Sequence, residues 1–194
     1  MQDRILGERA KAMEDKYFHE HDAKLLKKLQ LKAHLDEIAL ALGDKLLVDD
    51  PDLLMRVKDL GVTLETAPAL FLAPLVQVAW AEGKVTRQEH ETVLRLARGR
   101  GLEPNSPGYA QLEDWLRTRP SDALFDAAVE VLKLGFSVLP PVEQEDRIKS
   151  IVRACREVAE ASGGLERLIG FGDNVSPAEA VTLDHIVRSL RIRE

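Results

Sequence analysis

The chain has one cysteine, Cys155. That excludes an internal disulfide framework and fits a reducing compartment. Basic blocks and basic-aromatic stripes are missing as well. Acids and bases are interspersed and the net charge is −6, so nucleic acid is not an expected partner. Charge runs throughout roughly the first thirty residues, so no signal peptide is expected. The longest uncharged apolar run, Ala67 to Ala81 (APALFLAPLVQVAWA), is too short for a membrane span and carries Pro74 at its centre. It reads as a buried core helix. These absences predict a cytoplasmic protein with no transmembrane segment. Strand signatures are lacking too: no series of alternating Val, Ile, Thr and aromatic runs lies between turn signals.

What is present is ordinary for a folded protein, with 45% hydrophobic and 31% charged residues over 194 positions. The length suggests one or two domains able to bury a sizeable core. From Asp3 to Leu42 the only helix breaker is Gly7. Leu6, Ala10, Met13 and Tyr17 mark one helical stripe, and Leu31, Leu35, Ile38 and Leu42 mark another. Gly43 reads as a stop. Asp50-Pro51 caps a short helix that ends before Gly61. Thr63 or Thr66 opens the apolar helix, which Pro74 should kink or restart. Ser106-Pro107, Pro120-Ser121, Pro140-Pro141 and Ser176-Pro177 open four more helices. The expectation is an all-α fold of about eight helices with short connections.

The stretch VAWAEGKVTRQEHETVLRLA, residues 78–97, carries the strongest functional lead. Gly83 and Glu89 have the spacing of the sixth and twelfth positions of a calcium-binding EF-hand loop. The first and third positions fall on Val78 and Trp80, which cannot supply ligand oxygens, so the stretch is not an EF-hand. Thr86-Arg87-Gln88-Glu89 is a capping box, in which the Thr hydroxyl and the Glu carboxylate satisfy each other's backbone amides. A second copy follows downstream. Val158-Ala159-x-Ala161-x-Gly163 matches Val78-Ala79-x-Ala81-x-Gly83, and Val175-Ser176-x-x-Glu179 matches Val85-Thr86-x-x-Glu89. Two related helix-loop-helix units are therefore expected, the second carrying the insert LERLIGFG.

An apolar helix ending Val-Ala-x-Ala-[Asp/Glu]-Gly, followed by [Val/Ile]-[Ser/Thr]-x-x-Glu and an aliphatic helix, resembles the TerB-like family of helical domains. The resemblance spans roughly Ala67 to Leu190. It divides the chain into an N-terminal helical segment, residues 1–60, and a TerB-like bundle, residues 61–194. It also implies a weak metal site built from acids at the hairpin ends. By position these are Glu82 and Glu89, with Glu179 from the second unit. The family's Asp before the glycine is replaced here by Glu82 in one unit and Ser162 in the other, and Asp173 is the substitute available after the insert. A hard cation, calcium or magnesium, would be preferred over zinc, because neither loop holds His or Cys.

Other chemistry-bearing residues read as structural. Cys155 sits at apolar helical spacing from Ile151, Val152 and Val158, as a buried thiol does. His19, His21 and Asp22, His34 with Glu37, and His185 read as solvated faces. The glycines at 163, 164, 170 and 172 follow no strand and lack the dinucleotide fingerprint. Within the insert, Leu165, Leu168, Ile169 and Phe171 form an apolar tip, which either folds back over the bundle or docks a partner protein or a lipid surface. The N-terminal segment is a candidate for self-association into a homo-oligomer. No nucleophile-base pair or phosphate loop supports an enzyme. The expected function is a helical interaction or scaffold module docking a partner protein. The alternative is a divalent-metal-binding stress-response protein of the tellurite-resistance type.

Overall fold

A computed structural model describes residues 37–162 and 175–191, together with Asp22 and Leu25, which are helical and exposed. The rest of the N-terminal segment and the insert (Leu165, Leu168, Ile169, Phe171 and Asp173 included) lie outside the described residues. Among those described there are nine helices and no strand. They are α1 (Glu37–Leu46), α2 (Pro51–Asp59), α3 (Ala67–Leu70), α4 (Ala73–Ala79), α5 (Arg87–Gly99), α6 (Pro107–Arg117), α7 (Asp122–Ser137), α8 (Pro141–Ser162) and α9 (Pro177–Leu190). The all-α expectation holds. No helix among the described residues is long and apolar enough to cross a membrane.

Local chemistry sets most of the boundaries. The Asp50 carboxylate accepts from the Leu53 amide at 3.0 Å, and Pro51 fills the first position of α2. The hydroxyls of Ser106 and Ser121 cap α6 and α7 in the same way. Pro74 restarts the apolar run and so splits it into α3 and α4. Gly61 and Gly101, at φ of 83° and 82°, end α2 and α5 in the left-handed conformation. There the Val62 and Leu102 amides donate back to the Val57 and Ala97 carbonyls.

Gly43 does not stop α1. The helix continues through it to Leu46, and Leu47 takes the left-handed position at φ 57°. A Cβ on Gly43 would meet Leu54 Cδ1 at 2.9 Å and the Val48 carbonyl at 3.0 Å. The glycine is needed for the close approach of α2, not for termination.

The core is organised around α4. All of its residues except Gln77 are buried, and it packs against α5, α6, α7, α8 and α9. A seven-residue helix this apolar is not stable alone; its surroundings hold it. Helices α1 and α2, which the sequence reading grouped with the N-terminal segment, bury Leu42, Leu46, Leu53, Leu54 and Val57 in the same core. Two exposed ion pairs join helices across the surface, Arg56 to Glu130 and Arg95 to Glu157. Exposed pairs of this kind contribute at most about 1 kcal/mol each. Burial of the core residues dominates.

Candidate functional site

Both capping boxes form as the residue pattern requires. The Thr86 hydroxyl accepts from the Glu89 amide at 3.2 Å, and Glu89 Oε2 accepts from the Thr86 amide at 2.6 Å. In the second unit the same pair of bonds measures 3.3 and 2.7 Å between Ser176 and Glu179. Each carboxylate also sits where the helix dipole is positive. The surroundings were not foreseeable from the motif: among the described residues Glu89 and Glu179 are the buried charged side chains, 2% and 0% exposed. Packing of α4 on α5 and of α8 on α9, with α5 and α4 against α8, brings the two boxes near each other. Burial raises the Glu89 pKa most, the Thr86 bonds lower it, and the charges of Glu179 and then Glu82 raise it further.

Of the four acids that the resemblance singles out, Glu89 is thus close enough to feel both Glu179 and Glu82, the latter exposed. Asp173 lies outside the described residues. Among those described, no group of three His, Cys, Asp or Glu side chains is disposed to hold a metal ion. One oxygen of Glu89 and one of Glu179 are already engaged by backbone amides. Cys155 is fully buried, and burial pushes its thiol up to about 12 against the opposing pull of Arg100. A thiol so protonated is inert as a nucleophile at neutral pH. His185 is exposed on α9.

A larger concavity than any at the capping boxes lies elsewhere among the described residues, and the motifs do not mark it. A groove of about 700 Å³ runs between the end of α1, α3, the α5–α6 connection, α7 and α8, within the usual range for binding clefts. Its apolar wall consists of Pro68, Phe71 and Leu72, then Leu102, then Leu132, Phe136 and Leu139, then Ile151. Leu47, held outward by the left-handed end of α1, is 70% exposed beside it. Val138, in the turn from α7 to α8, and Val142, in the first turn of α8, are 68% and 75% exposed. The charged residues in the lining are all basic: Lys45, Arg100 and Arg147.

Sequence reasoning missed this groove because its walls come from five separated segments. The one local signal was Leu47, an aliphatic residue at a helix end followed by acids. No family model matches the chain, and neither a curated protein nor a solved structure matches it.

Proposed function

We propose that the chain is a helical docking module that seats a partner protein in the α1–α3–α7–α8 groove, in keeping with its resemblance to the TerB-like scaffold domains. The observation that carries this reading is the groove: a concavity lined mostly by apolar side chains and partly open to water, with Leu47 exposed in its lining. Exposed apolar surface gathered in one place is costly for an isolated chain and is characteristic of interaction sites. The buried acids favour docking over metal chemistry, because Glu89 and Glu179 each spend an oxygen on their own helix caps. On this reading the module works in the cytoplasm, and the apolar tip at Leu165, Leu168, Ile169 and Phe171 is a second contact.

Site-directed photocrosslinking in the native host tests the reading. A photoreactive phenylalanine analogue at Leu139 should give a discrete protein adduct that the same probe at Val181, on the far helix α9, does not. Loss of the Leu139 adduct in a Phe136→Asp background is also expected. Equal labelling at the two positions, or none at Leu139, would overturn it. Calorimetry with calcium and magnesium addresses the cation alternative directly: heat abolished by Glu82→Gln with Glu89→Gln would favour it.

A further inference from the structure

We infer that the partner segment seated in the groove is an amphipathic helix bearing acidic residues beside its apolar stripe. The inference rests on the docking reading and adds the chemistry of what is docked. Lys45, Arg100 and Arg147 are exposed, and none has a carboxylate partner among the described residues. Arg56, Arg87, Arg95, Arg119, Lys149 and Arg188 are each paired with an acid, while Lys84, Arg98, Arg117, Lys133, Arg153 and Arg156 have no ion pair among the described residues either, so what marks the groove is the single sign of its lining. A chain of net charge −6 thus gathers three unneutralised cations around one apolar groove with no acid in its lining. Lys45 gains from the negative end of α1, and Arg100 donates to the Leu96 carbonyl at the end of α5 at 3.2 Å. Arg147, in the second turn of α8, has no such helix-end partner.

The groove's shape selects the class of anion. It is partly open to solvent, so it can bury one face of a ligand and leave the other in water. An amphipathic helix needs that arrangement, presenting apolar anchors at i, i+3, i+4 and i+7 to the wall and acids to the rim. A small lipid anion needs most of its surface enclosed. Charge complementarity of this kind sets orientation and on-rate as well as affinity.

The probe is a fluorescent peptide of about 16 residues, roughly 24 Å as a helix, with Leu at the stripe positions and Glu flanking them. A twin carries Lys in place of Glu. Anisotropy should show the Glu peptide binding at least about tenfold tighter than the Lys peptide at low salt, with the preference shrinking at high salt. Arg147→Glu, at an exposed position with no helix-end bond, should at least abolish the preference while leaving the thermal unfolding curve unchanged. Equal binding of the two peptides, or of neither, overturns the acidic-helix inference. The docking reading survives in that case if the Leu139 adduct still forms. Dodecanoate binding in the groove where neither peptide binds would overturn the inference and, without an adduct, the docking reading with it.

Discussion

At the scale of single residues, Glu89 joins burial, capping and charge in one side chain. It is buried, it caps its own helix, and it lies near a second buried carboxylate. Because its folded-state pKa is raised, the native state holds this proton more tightly than the unfolded chain does. Its contribution to stability is therefore fully present below the ordinary Glu value, near about 4.3. It is lost as pH rises from there through the raised value. Glu89→Gln keeps an acceptor for the Thr86 amide and removes the charge. Urea unfolding over a pH series should show stability declining less steeply across that window in the Gln variant than in the wild type. A steeper decline would mean that the carboxylate is stabilised by its surroundings. Glu89→Ala should instead cost about 1–3 kcal/mol at any pH in the range, by orphaning the Thr86 amide. The capping role was legible in Thr86-x-x-Glu89. The burial and the approach to Glu179 were not, because they depend on helices distant in sequence meeting at one place.

Among the elements, the caps carry most of what could be read directly. Asp50-Pro51, Ser106-Pro107, Ser121 and Ser176-Pro177 each open a helix by the same hydroxyl- or carboxylate-to-amide bond. Thr86→Ala and Ser176→Ala should each lower stability by about 1 kcal/mol in chemical unfolding. No change in either would show that the box contributes nothing beyond geometry. Gly43 shows where local reading fails. Its residue type suits a helix stop, but the contact that requires it comes from Leu54 on the next helix. Gly43→Ala should therefore destabilise by about 1–3 kcal/mol through overpacking, despite the propensity gain that alanine brings to a helix interior. Gly99→Ala, where an added Cβ meets nothing within 4 Å, should stabilise by up to about 1 kcal/mol. If the two variants shift stability in the same direction, the close-approach account of Gly43 is wrong.

Over the whole molecule, helical periodicity and turn chemistry were enough to read the fold class, since every apolar run had one period and a marked start. The groove was not legible. Lys45, Arg100 and Arg147 look like three ordinary surface charges until α1, α5 and α8 are placed around Phe71 and Phe136. The proposed function rests on that convergence. Methyl NMR of the Ile, Leu and Val side chains during titration with the acidic amphipathic peptide tests it most directly. The account predicts shift changes concentrated at Leu47, Leu102, Leu139 and Ile151, with Val181 and Leu183 on α9 unmoved. Changes centred on α9, or spread evenly over the molecule, would contradict it.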